Sequence, residues 1–331
     1  MILNPAILAL LIGSLLTAMM MVYASWYGIQ ILRSWDMGSG SELQLSLERR
    51  TYLISTIVSY TMAFQLLSLF LFIYTADHLH SRFTGAMCAA GTLNADPFGY
   101  PLLVLKIFNF LLAGLWLIIN HADSSGYDYP LIRFKYGFLL LLTPLLLLEA
   151  FFLFQYFLLL HADIITSCCG SLFSTEKSSL GGDLSALPAG MMTVWFFMVM
   201  ALTFVTGGYF RFSGKGGYLF AGVSTLTFLV SIASLISFIC LYYYELPSHH
   251  CPFCVLQREY GYVGYFLYIS LLCGGVSGMG IGLLMAFRKR RSLVNVVPTI
   301  QRRLSDVAMV SYGIFSLLVI YKMIFSPLRL A

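Results

Sequence analysis

Charge is what this chain lacks. Only 10% of its 331 residues are Asp, Glu, Lys or Arg, while 59% are hydrophobic. A soluble domain carries about a quarter charged residues, so a water-soluble globule is excluded. Linkers are missing too: no stretch rich in Gly, Ser or Pro divides the sequence, which reads as a single membrane domain over 1–331. No basic stripe interleaved with aromatics is present, so nucleic acid is not an expected partner. The N-terminus has no basic region before its apolar run, and that run is too long for a signal peptide, so it is expected to remain as a first helix. The apolar runs also far exceed the strands of about 10 residues that build membrane barrels.

What remains is eight apolar segments, near 6–32, 53–75, 101–120, 136–161, 190–210, 218–244, 259–286 and 306–325. In lipid each must satisfy its own backbone, so the expected fold is all-α, a polytopic bundle of about eight transmembrane helices. One set of short loops is basic: Arg33, Arg49 and Arg50; Arg133 and Lys135; Arg211 and Lys215; Arg288–Arg291 with Arg302 and Arg303. The opposite set holds only Arg82, Lys177 and Arg258, plus Arg329 in the tail. The basic set is expected to face the cytoplasm. Both termini are then extracytoplasmic, as in a bacterial-type inner membrane with outer loops in the periplasm.

Cysteine follows the same asymmetry. Cys88, Cys168, Cys169, Cys251 and Cys254 fall in the outer loops, Cys240 lies near the outer end of the sixth segment, and no cytoplasmic loop has one. Disulfides persist on the oxidising side of a membrane, so this distribution agrees with the charge bias. Cys273, inside the seventh segment, reads as a small apolar core residue. The second, fourth and sixth segments each leave the membrane through polar residues toward cysteine: Asp77 to Cys88, Asp163 to Cys168, Glu245 to Cys251.

The densest chemistry is His249-His250-Cys251-Pro252-Phe253-Cys254-Val255-Leu256-Gln257-Arg258, at the mouth of the seventh segment. If the helix opens with the motif, Cys251 and Cys254 share its first turn. There the dipole and free N–H groups favour thiolates, and Pro252 suits the first helical position. Arg258 then lies two turns along the same face, placed for a quinone carbonyl, a lipid phosphate or simple snorkelling. Attachment of c-type haem needs His after the second Cys, and Val255 stands there. A soluble redox module needs a βαβ context that is absent. Zinc or copper held by Cys251 and Cys254 with His249 or His250 is chemically adequate. The outer histidines His78, His80, His161, His249 and His250 lie in loops or at helix ends, with His121 at the inner side, a poor arrangement for b-type haem.

Cys251-Pro252-Phe253-Cys254-Val255-Leu256-Gln257-Arg258 resembles the Cys-Pro-x-Cys-x-x-Gln-Arg segment of the DsbB family of bacterial disulfide-bond formation proteins. The resemblance covers only this stretch and marks 218–331 as the DsbB-like part, leaving 1–217 as helices without an assigned role. It implies a membrane oxidoreductase passing electrons from a thioredoxin-like extracytoplasmic protein to ubiquinone or menaquinone. Cys251 and Cys254 would be the quinone-proximal pair, and Arg258, beside Gln257, would help bind quinone. The family has four helices and a second cysteine pair in a later loop. Here that pair would have to come from upstream, Cys88 with Cys168 or Cys169. The competing class is a non-enzymatic transporter or assembly subunit with an outer Cys/His cluster that binds metal or is stapled by disulfides.

Two further polar residues fall inside apolar segments. Glu149, near the middle of the fourth, is a candidate for proton transfer toward quinone or for a hydrogen bond between helices. Lys106, just inside the third, is expected to snorkel.

Overall fold

The structure, a computed structural model, describes residues 3–36, 39, 41–160, 165–166, 173 and 180–329. Among the described residues there are helices and turns and no strand. Eight of these helices are long and apolar enough to cross a membrane. They are α1 (Pro5–Ser34), α2 (Glu42–Leu79), α3 (Gly99–Ser124), α4 (Ile132–Leu159), α5 (Ala189–Ser213), α6 (Gly217–Tyr244), α7 (Val263–Met285) and α8 (Val296–Phe325). The chain is thus an integral membrane protein by length and composition of its helices. Two short helices, Ala89–Asn94 and Leu180–Ser185, lie in connections on one side.

Helix ends follow local chemistry as well as hydropathy. The Asn4 side chain accepts from the Ala6 amide at 2.9 Å and opens α1. Gly214, at φ +66°, closes α5, and Gly216, at φ +80°, opens α6, so two left-handed residues make the α5–α6 turn. Helices α2 and α8 begin some ten residues before their apolar cores, because the polar turns carrying Arg49, Arg50, Arg302 and Arg303 are still good helix. By contrast, α7 starts only at Val263.

The chain forms two compact units. The first comprises Met1–Thr75, Asp96–Leu160 and Phe287–Pro298; the second comprises Ala76–Ala95, His161–Ala286 and Thr299–Ala331.

In the first unit α4 packs on both α1 and α3. Their seam is filled by Met21, Ala24, Trp116, Tyr136, Leu139 and Leu142, all buried. Polar groups within this seam are matched to one another. Glu149 accepts from Lys106 Nζ at 2.6 Å and from Asn109 Nδ2 at 2.7 Å, and also from Gln65. Lys106 donates to Ser68 Oγ at 3.1 Å as well. Lys106 therefore does not snorkel: it is 2% exposed and turned inward, because a carboxylate at the same depth offers better solvation than a reach to the surface. Nearer the basic loops, Lys135 Nζ lies 2.5 Å from Asp123 Oδ2, and Asp123 Oδ1 accepts from the Leu131 amide, closing the α3–α4 connection. One charge of the basic loop set is thereby neutralised inside the protein.

In the second unit α6 packs on α5 and α7. The α6–α7 contact depends on small residues, as membrane helix pairs do. A Cβ on Gly278 would stand 1.9 Å from Ser224 Oγ, and one on Gly282 would stand 2.6 Å from Ala221 Cβ. Tyr312 of α8 donates to the Ser224 carbonyl at 2.8 Å and lies over Gly274. Gly278→Ala is expected to destabilise the protein by about 1–3 kcal/mol, the usual cost of overpacking. The thermal midpoint in detergent should fall, and Ser224→Gly in the same chain should restore part of it. Cys273, on the same helix, is exposed and not a core residue, because the glycine face of α7 is the one turned inward.

Candidate functional site

The His249–Arg258 motif is not the first turn of a helix. Cys254–Leu256 and Arg258–Tyr260 are single 3-10 turns separated by Gln257 in extended conformation (φ −79°, ψ 162°). Gly261 and Tyr262 are left-handed before α7 begins. Pro252 is thus not a helix-opening residue, and the α7 dipole does not act on Cys251 or Cys254, which precede the helix by nine residues or more. Arg258, expected on a shared helical face, is exposed in a separate turn.

Backbone anchors hold the motif in place. The Tyr244 hydroxyl, at the end of α6, donates to the Cys251 carbonyl at 2.5 Å and accepts from the Val255 amide at 2.8 Å. Tyr268 of α7 donates its hydroxyl to the Pro252 carbonyl. His250 is held against α6, its Nδ1 at 2.8 Å from the Ile236 carbonyl, within a π-helical turn at Leu235–Ile239. Such turns interrupt the regular ladder and recur at functional sites. His249 Nε2 lies 3.4 Å from Cys254 Sγ, with its ring edge-on to Tyr244 at 4.6 Å between centroids.

The 76–95 segment supplies a third sulfur. Asp77 Oδ1 accepts from the Ala89 amide at 3.1 Å, so the carboxylate anchors the turn in which Cys88 precedes the Ala89–Asn94 helix. Gln257 Nε2 donates to the Met87 carbonyl at 2.8 Å and reaches Asp77 at 3.4 Å. Thr166 pins the same segment through Thr84 and Gly91. The result places Cys88 Sγ 3.6 Å from Cys251 Sγ, across 163 residues of sequence. The sulfurs of Cys88, Cys251 and Cys254 all lie within 4.8 Å of one another, and the residues are 0%, 0% and 6% exposed. Cys168 and Cys169 lie outside the described residues.

Two cavities in the second unit are lined by residues close in sequence to this centre. A cleft of about 410 Å³ is lined by Asp77, His78, His80, Met87, Gln257 and Arg258. A second, of about 320 Å³, lies between Tyr243, Tyr260, Val263, Leu318 and Tyr321, with Glu259 and Lys322 at its edge. Tyr260 packs edge-on against Tyr244 at 4.9 Å. Burial, and after it the neighbouring Cys254 and Glu259, push the Tyr260 phenol above its ordinary value, so it is a neutral hydrogen-bond donor at pH 7. Lys322 is paired with Glu245 at 2.9 Å.

Spacing alone identifies Cys251 and Cys254, whereas Tyr244, Tyr268 and Asp77 carry no motif. Asp77 had a faint signal as the polar exit of α2. Tyr244 and Tyr268 are indistinguishable in sequence from the many interfacial tyrosines. Glu149 belongs to the first unit, with Lys106, Gln65 and Asn109 as its partners. Comparison with family models, with curated proteins and with solved structures finds no match to this chain.

Proposed function

We propose that this chain is a membrane thiol–disulfide oxidoreductase, passing electrons from a thioredoxin-like extracytoplasmic dithiol to ubiquinone or menaquinone. The observation that supports it is the third sulfur: Cys88, far away in sequence, stands beside Cys251 with Cys254 in reach. A cysteine pair alone exchanges with one partner at a time; a third thiol permits a relay.

Starting from a Cys251–Cys254 disulfide, the Cys88 thiolate attacks Cys251 Sγ, forming Cys88–Cys251 and releasing Cys254 as thiolate. The partner's thiolate attacks Cys88 and releases Cys251. The partner's second thiolate then resolves the mixed disulfide, leaving the partner oxidised and all three cysteines reduced. Two electrons and two protons pass from Cys251 and Cys254 to quinone, restoring the starting disulfide. His249, in contact with Cys254, is placed to take and return the Cys254 proton. The 410 Å³ cleft beside Met87 supports entry of the partner next to Cys88. The aromatic walls of the 320 Å³ cavity suit a quinone ring, with the neutral Tyr260 phenol as donor to its carbonyl. Burial of Cys88 requires the Phe83–Cys88 turn to move during exchange. The bias of basic residues to the opposite loops supports a centre on the periplasmic side of a bacterial-type inner membrane, with both ends of the chain on that side.

Purified protein in quinone-containing vesicles should oxidise a reduced thioredoxin-like protein only when quinone is present. Cys254→Ser should stop turnover and leave Cys88 and Cys251 reduced, because no Cys251–Cys254 disulfide forms to be passed on; alkylation and mass spectrometry without reduction would detect this. Full turnover in Cys254→Ser would remove the proposal.

A further inference from the structure

The spacing of the three sulfurs has a second chemical meaning. Donors bound to one thiophilic cation at about 2.3 Å stand about 3.8 Å apart in a tetrahedron and about 4.0 Å apart in a plane. Cys88 and Cys251 are at 3.6 Å, and all three sulfurs are within 4.8 Å. The triangle is therefore near ligand spacing, whereas a disulfide of about 2.05 Å requires one pair to close by about 1.5 Å. The three side chains converge from two segments, each fixed by backbone hydrogen bonds from Tyr244, Tyr268, Asp77 and Gln257. Such bracing holds donors in place before an ion arrives. Buried thiols offer one another only weak hydrogen bonds. A bound cation supplies positive charge to all three sulfurs at once.

We infer that the reduced centre binds one thiophilic closed-shell cation, Zn²⁺ or Cu⁺, through Sγ of Cys88, Cys251 and Cys254. His249, at the Cys254 corner, supplies the fourth donor that Zn²⁺ takes and three-coordinate Cu⁺ does not need. His250 is held by the Ile236 carbonyl and takes no part. The inference stands on sulfur geometry and does not require the electron-transfer reading. It makes the metal-bound and disulfide states mutually exclusive, because every sulfur used in exchange is a ligand. Binding releases the thiol protons.

The test uses the full chain, purified in detergent, stripped of metal and reduced under anaerobic conditions. Zn²⁺ is titrated against a chromophoric chelator, and Cu⁺ separately against bathocuproine disulfonate. One ion per chain is expected for at least one of them. Affinity should fall by about tenfold or more in Cys88→Ser and stay unchanged in Cys273→Ser. His249→Ala should weaken Zn²⁺ and spare Cu⁺; equal loss or no loss for both removes histidine from the donor set. The wild type gives a reading that does not depend on the folding of Cys88→Ser. The bound ion should slow alkylation of Cys88, Cys251 and Cys254 together and leave the rate at Cys273 unchanged. Failure of both ions to bind at one per chain overturns the inference, as does protection confined to Cys251 and Cys254. Quinone-dependent thiol oxidation without metal binding would sink this inference alone. Stoichiometric binding by a protein that oxidises no thiol would sink the redox reading alone.

Discussion

Cys88→Ser is expected to reduce quinone-dependent oxidation of a thioredoxin-like dithiol by about 100-fold or more, the scale of loss when a positioned reacting group is removed. The reason is positional. Cys88, Cys251 and Cys254 are all buried, so a partner protein reaches any of them only where a covering segment moves. Met87, directly before Cys88, is 64% exposed and lines the polar cleft, so movement of its turn is the route that uncovers Cys88. Without it, Cys251 and Cys254 should still be oxidised by quinone and then remain oxidised, because nothing carries reducing equivalents to them. Alkylation followed by mass spectrometry should therefore find an accumulated Cys251–Cys254 disulfide in Cys88→Ser and reduced Cys88 and Cys251 in Cys254→Ser. These opposite redox states separate a relay from a merely structural role for Cys88. A structural role would lower activity without selecting either state. Wild-type turnover by Cys88→Ser would leave the third sulfur without a part in the reaction.

The bundle itself was legible from hydropathy because the bilayer imposes a length and a backbone rule that apolar runs reveal directly. Ends were less legible. Arg49 and Arg303 lie in helix, because helix propensity continues where hydropathy stops. The His249–Arg258 motif misled for the opposite reason. Its spacing matches one helical turn, but Gln257, Gly261 and Tyr262 adopt conformations that break any helix before Val263. Cys251 and Cys254 were recognisable because their chemistry resides in local spacing. Their meeting with Cys88 was not, since it depends on Asp77 and Gln257 fastening a loop 163 residues away, a tertiary event that leaves no local pattern. Lys106 failed for a related reason. A lysine near a helix end reads as a snorkelling anchor until a carboxylate on another helix is known to sit at its depth.

Lys106→Met is expected to be among the most damaging single substitutions outside the sulfur centre. Lys106 and Glu149 are 2% and 3% exposed, with Nζ and Oε1 2.6 Å apart. Removing the cation strands a carboxylate among apolar helices, where loss of one partner of a buried pair costs about 3–5 kcal/mol. The remaining donors, Gln65 and Asn109, cannot replace a full charge. Glu149→Gln added to Lys106→Met should recover most of the loss, because a neutral amide can keep the hydrogen bonds to Gln65 and Asn109. Thermal melts of the two variants in detergent would decide the matter. A Lys106→Met protein as stable as wild type would mean that the pair adds nothing to the fold, and its burial would then demand a functional explanation in the first unit.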